Sequence, residues 1–242
     1  MDDEFFRLLE GEVTRKQMKL YLAIIWLSLT TYAWEDYDSI CGAFYNGLVY
    51  LEEALRMSDE GTGDRYFDRT IRILTDSLDQ LDMEQFERLI EEAEQTLRAG
   101  HKIVASGLGK NVPVCEKFVG SMLSMGLDAN FLHTNSAVHG DMGMVRPGDL
   151  VIILSKSGST AESVYLTKLL QKRDCRLWAL TFREDGEMVR LIGKKHSLII
   201  PLEHEGDLWN IMPNNSTTLN LIVLQGLAMS LAERMELELE RD

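Results

Sequence analysis

The chain predicts an α/β fold: three layers, α/β/α, around a doubly wound five-stranded parallel sheet, with an N-terminal helical extension. Three observations predict it. From residue 102 onward, five short strand-like runs alternate with segments of helical spacing. The run Leu150 to Leu154, LVIIL, is apolar without a break, as a strand buried on both faces requires. Residues 1–57 hold no proline and no strand-like alternation.

In order, Glu4 to Met18 reads as a polar helical segment and Lys19 to Trp34 as one apolar nearly all round. Such a helix must be covered by something. At 15 residues, Leu20 to Trp34 falls short of the ~20 needed to cross a bilayer, so a buried or subunit-interface helix is expected. A third helix, Tyr37 to Met57, carries Ile40, Phe44, Leu48, Leu51 and Leu55 at spacings of three and four. Ser58 to Asp64, SDEGTGD, reads as a linker, which gives an extension over 1–64 and a domain over 65–242. Arg65 to Ala99 reads as one long helix or two consecutive ones, with Phe86, Leu89, Ile90 and Ala93 in its apolar stripe and Gly100 as its stop. Strands are expected at Lys102–Ser106, Ala129–His133, Leu150–Ser155, Arg176–Phe182 and Ser197–Leu202. Helices are expected from the turn after the first strand to about Met125, then at Glu162–Lys172, Glu187–Gly193 and Asn214–Glu238.

The formal net charge of −14 argues against a nucleic acid or an anionic membrane as the main partner. Residues 1–64 hold five Lys/Arg against thirteen Asp/Glu, a local net of −8, where a DNA-binding module should show a basic stripe. An oligomerisation or capping element is the better expectation. The start, MDDEFF, lacks the basic region of a secretory signal. Cys41, Cys115 and Cys175 are widely spaced, without a metal-ligand pattern, and read as reduced thiols of a cytoplasmic protein.

In a doubly wound sheet, ligands sit beyond the carboxyl ends of the strands. The turn after Leu154 offers Ser155, Ser157, Ser159 and Thr160, four hydroxyls within six positions, before a helix. Backbone N–H groups, O–H donors and a helix dipole make that an anion site, with phosphate the expected guest. Helix capping alone would need one hydroxyl. Gly107-Leu108-Gly109-Lys110 follows a strand at the same edge, where glycines permit close ligand approach; it matches neither a Walker A loop nor GxGxxG. His139-Gly140-Asp141 lies in the aperiodic stretch Asn135 to Val145 and offers an acid or base, or simply a turn. Glu162 sits in the first turn of the helix after the serine turn. Glu203, His204 and Glu205 follow the last strand, where one could abstract a proton next to a carbonyl. Asn214-Asn215-Ser216-Thr217-Thr218 opens the last helix with more amides and hydroxyls than capping uses.

Together these stretches resemble the sugar isomerase (SIS) domain, and within it the arabinose-5-phosphate isomerases. The matching segments are GLGK (Gly107 to Lys110), HTNSAVHGDMGMV (His133 to Val145), PGDLVIILSKSGSTAE (Pro147 to Glu162) and PNNSTTLNLIVLQGLAMSL (Pro213 to Leu231). The resemblance implies the flavodoxin-like SIS fold and a phosphorylated sugar as substrate. It implies aldose–ketose isomerisation through an enediolate, needing no cofactor and no metal. It places Lys110, His139, Glu162 and Glu205 among the catalytic residues. Gly107, Gly109, Ser155, Ser157, Ser159, Thr160, Asn215, Ser216 and Thr217 are expected to contact phosphate or sugar. It also implies a homo-oligomer, a dimer or tetramer. In the family a catalytic His follows the last helix, typically within an S-H-P-G-G run, whereas no His follows His204 in this sequence. The alternative expectation is therefore a non-catalytic phosphosugar sensor.

Overall fold

The computed structural model describes residues 15–29, 37–56 and 62–237. The chain divides into two compact units, with the division between Phe67 and Asp68. In the first, helices α1 (Arg15–Leu29) and α2 (Tyr37–Arg56) pack together. Ala23 and Ala43 are buried between them, and a Cβ on Gly47 would stand 2.6 Å from Leu27 Cγ. Small residues let the backbones approach closely. Tyr21, Ile24 and Ile25 on α1, and Phe44, Tyr45 and Leu48 on α2, remain exposed, so this unit covers only part of the apolar helix. No break separates the two expected helical segments at Met18: α1 runs through it without a Gly or Pro to stop it. The outer parts of both segments lie outside the described residues.

Helix α3 (Thr62–Asp79) takes up the last three residues of the expected linker, with Thr62, a residue type favoured at helix starts, at its beginning. The rest of that linker lies outside the described residues. A second helix, α4 (Met83–Arg98), follows as a separate element. The break is set by Asp82, whose Oδ1 accepts the Gln85 N–H at 3.0 Å and caps α4.

The second unit continues as β1 (Ile103–Gly107), α5 (Asn111–Ser124), β2 (Ala129–His133), α6 (Thr134–Ala137), a 3₁₀ turn (Asp141–Met144) and β3 (Leu150–Leu154). It ends with α7 (Ala161–Leu170), β4 (Arg176–Thr181), α8 (Glu187–Ile192), β5 (Ser197–Ile199) and α9 (Asn215–Arg234). All strand pairs are parallel, in the order β2-β1-β3-β4-β5. Every residue of the central strands β1 and β3 is buried. Alternate side chains feed two cores. Ile103, Ala105, Leu150 and Ile152 pack with α4, α5 and α9, while Val104, Val151 and Ile153 pack with residues of α6, α7 and α8.

Most expected elements keep their bounds within one or two residues; larger departures occur in β5, in the stretch from Asn135 to Val145 and in α9. β5 stops at Ile199 rather than Leu202. Ile200 N–H still bonds Thr181 O at 2.8 Å, but Pro201 has no N–H to extend the ladder. The stretch from Asn135 to Val145 contains the short helix α6 and the 3₁₀ turn, which are too brief to show periodicity. Helix α9 ends at Arg234, and Glu238 lies outside the described residues.

The turn after β3 is seated directly on the backbone that opens α8. Gly158 has a φ of +60°, and a Cβ on Gly186 would lie 2.9 Å from Gly158 Cα and 3.0 Å from Ser157 O. Two backbones touch there with no side chain to give way. Gly186→Ala is expected to destabilise the protein by about 1–3 kcal/mol, read as a lower melting temperature, while Gly193→Ala serves as a control for strain without crowding, since its Cβ meets no atom.

Candidate functional site

Strand order reverses around β1: β2 pairs on one side and β3 on the other. The carboxyl ends of β1 and β3 flank that switch point, where open α/β sheets take their ligands. The turn after β1 depends on glycine. A Cβ on Gly107 would meet Asn111 Cβ at 2.8 Å and Cys115 Sγ at 3.1 Å, and Gly109 has a φ of +60°. Lys110 then stands exposed at the head of α5, with no hydrogen bond or ion pair among the described residues. Burial, with Glu116 adding to it, pushes the Cys115 thiol up to about 12, so that residue is a packing group rather than a nucleophile.

The serine turn after β3 is internally braced. Ser155 and Thr160 hydroxyls bond at 2.9 Å, Ser157 Oγ accepts the Ser159 N–H at 3.1 Å, and Ser159 Oγ accepts the Glu187 N–H at 3.1 Å. Thr160 holds the N-cap position of α7 yet makes no side-chain cap. Capping therefore does not explain the hydroxyls, and the start of α7 keeps its dipole for an anion.

A cavity of about 520 Å³ lies at this edge, lined by Lys156, Ser157 and Ser159 of the turn and by Glu203, His204 and Asn210 after β5. Phe182 and Leu202 add apolar wall. Lys156 reaches Glu205, whose Oε1 lies 2.5 Å from its Nζ. Glu205 is fully buried; its Oε2 accepts the N–H groups of Asn214 at 3.0 Å and Ser216 at 2.9 Å. Burial pushes the carboxyl up, but Lys156 and the amides of Ser216 and Asn214 outweigh it and hold Glu205 below the usual carboxylate value. Glu205 is thus the anionic cap of α9.

The remaining expected residues divide into two groups. Asn215, Ser216 and Thr217 all have partners inside the protein. Asn215 Nδ2 donates to His204 O at 3.0 Å, Ser216 serves Glu205, and Thr217 Oγ1 returns to Asn214 O at 2.9 Å. The Asn215 Oδ1 is buried without a hydrogen bond. His139 is exposed, with its N–H on Ser136 O at 3.0 Å, and Glu162 is exposed in the first turn of α7. Neither lines the cavity, nor does Lys110. Sequence reasoning passed over Lys156, although it is the one cation within the serine turn.

The SIS domain matches residues 96–230, more than half of the chain, and the chain belongs to that family. It is similar to arabinose 5-phosphate isomerase KdsD of Pseudomonas aeruginosa, 32% identical over 165 residues, covering 68% of this chain and 50% of that protein. The protein of the same name from Salmonella typhi is 29% identical over 161 residues, covering 66% and 48%. The chain thus spans about half the length of these curated relatives. Among solved structures, E. coli CFT073 c3406 in complex with arabinose 5-phosphate has a TM-score of 0.67 at 28% identity, covering 72% of this chain and 90% of that one. The fold also matches Vibrio vulnificus NanR complexed with ManNAc-6P, with a TM-score of 0.61 at 17% identity, covering 96% and 91%.

A carboxyl held below its unfolded value adds stability above about pH 4.3 and loses it as pH falls through the folded value. Stability measured by urea unfolding should therefore fall on acidification below that point. In Glu205→Gln the fall should be shallower, because that group no longer titrates. Equal slopes would mean that Glu205 contributes nothing.

Proposed function

We propose that this protein isomerises a phosphorylated sugar between aldose and ketose forms through an enediolate, in the manner of an arabinose-5-phosphate isomerase. The observation that carries the reading is the cavity itself: Ser157, Ser159 and Lys156 line it, beside a helix start that no side chain caps. A phosphate there gains hydroxyl and amide donors, the α7 dipole and the Lys156 ammonium. The names of the relatives, arabinose 5-phosphate isomerase and a structure in complex with arabinose 5-phosphate, support the same chemistry.

Isomerisation needs a base to take the proton from the carbon next to the carbonyl, and a donor for the oxygen that gains charge. No redox cofactor enters. Glu205 is a poor base, since its Oε2 holds two amides of α9, its Oε1 faces the Lys156 ammonium, and its proton affinity is lowered; its part is to hold Lys156 and α9 in place. Glu203 lines the cavity as an exposed carboxylate with no ion pair among the described residues and is our candidate base. We further propose a cytoplasmic dimer or tetramer, in which residues 1–64 assemble the subunits and residues 65–242 form the isomerase domain. The exposed apolar residues of α1 and α2 support that assembly. Exposed Lys110, His139 and Glu162 are then available to complete a neighbouring subunit's site. Among the described residues no helix is long and apolar enough to cross a membrane.

A second reading, a sensor that binds phosphosugar without turnover, is favoured by one observation. Lys110 and His139 lie outside the cavity, and Glu205 is fully engaged. Incubating the protein with pentose and hexose phosphates in D₂O, followed by NMR, separates the two. The isomerase gives aldose–ketose conversion with deuterium at C1 or C2, whereas the sensor gives only binding. Replacing both Ser155 and Ser157 by Ala is expected to weaken phosphosugar binding by about 1–3 kcal/mol, roughly 5- to 150-fold, measured by calorimetry; unchanged affinity would move the phosphate elsewhere.

A further inference from the structure

His204 Nδ1 receives two approaches. The Arg69 guanidinium Nη2 lies 3.1 Å from it, and the Gly206 backbone N–H points to it at 2.9 Å. A guanidinium and a backbone amide can only donate. Nδ1 must therefore be the unprotonated nitrogen, and the ring proton sits on Nε2. The tautomer is set by its partners rather than left to solvent. The residue's backbone is also held, because its carbonyl accepts from Asn215 Nδ2 at 3.0 Å and its neighbour Glu205 is pinned to α9. His204 lines the same cavity as Ser157, Ser159 and Lys156.

We propose that His204 is a hydrogen-bond donor to the bound sugar, its Nε2–H meeting the carbonyl oxygen at which charge develops. The role rests on the isomerase reading. When the base removes the proton, the C–H electron pair becomes the new C=C bond and the carbonyl π pair moves onto oxygen. An N–H already aimed at that oxygen stabilises the enediolate more than the neutral carbonyl, which lowers the barrier. For isomerisation the proton returns to the carbon that bears this oxygen, the oxygen takes the proton of the neighbouring hydroxyl, and that hydroxyl's oxygen becomes the new carbonyl. The neutral imidazole donates throughout while keeping its own proton. Arg69 and Gly206 act through His204 as positioning groups, since each holds Nδ1 as an acceptor.

Two substitutions separate the nitrogens. His204→Asn places an amide oxygen near Nδ1, which keeps the acceptor for Arg69 and Gly206 but loses the Nε2 donor. His204→Gln restores an N–H near Nε2. With D-arabinose 5-phosphate and D-ribulose 5-phosphate as probes, His204→Asn is expected to lower kcat by about 10²–10³-fold with KM within a few-fold. His204→Gln should recover much of the loss, and both should melt close to the unsubstituted protein. Nitrogen-15 NMR of the histidine rings should show His204 protonated at Nε2, and that resonance should shift when either sugar phosphate binds. Normal kcat in His204→Asn, beside an active unsubstituted protein, overturns the donor and leaves the isomerase standing. Binding with an Nε2 shift but no conversion removes the isomerase reading and upholds the hydrogen bond to sugar. A ring protonated at Nδ1, an Nε2 resonance indifferent to ligand, or no binding of either probe overturns the proposal.

Discussion

A carboxylate with no exposure to water has to be neutralised where it stands, and the way Glu205 is neutralised organises the functional edge of this fold. Its two oxygens draw on Lys156 of the serine turn and on the first amides of α9. One buried charge thereby ties together the turn after β3, the loop after β5 and the closing helix. Removing Lys156 would leave an uncompensated carboxylate in a dry setting, which is costly. The cavity has fixed walls for that reason. The serine turn is braced on its other flank by the backbone contact between Gly158 and Gly186. Its position is determined from two sides before any ligand arrives.

The sheet was legible because burial leaves a plain mark on sequence. LVIIL admits no polar position, as a central strand covered on both faces demands, and Ala129–His133 is bounded as expected. The serine turn was legible for a different reason: four hydroxyls exceed what a helix start consumes. The contents of the site were harder to read. Lys110, His139 and Glu162 are all near the right strand ends in sequence, but a strand end fixes a backbone position and not the direction of a long side chain. Asn215, Ser216 and Thr217, read from sequence as ligand contacts, each also have a partner inside the protein, since amides and hydroxyls serve a buried carboxylate and a loop as readily as a substrate. Arg69 left no trace, since its meeting with His204 spans 135 residues.

Under either proposed reading, binding and turnover would call on different parts of this edge. The parts proposed to hold an anion, a helix start and a hydroxyl turn, follow directly on the buried strand β3. The parts that move protons are single side chains on loops, each replaceable without disturbing a core.

The loop after β5 has an optical consequence. Asp207 accepts the backbone N–H groups of Trp209 at 2.8 Å and Met212 at 3.1 Å, which holds this loop in shape while the indole of Trp209 faces solvent. Its neighbour Asn210 lines the cavity. Trp178, by contrast, is fully buried, with its Nε1 donating to Glu92 at 3.0 Å. Within this unit the two indoles therefore emit from opposite surroundings: one red-shifted and open to a soluble quencher, the other blue-shifted and shielded. The molecule carries its own fluorophore at the rim of its site and an internal reference within its core.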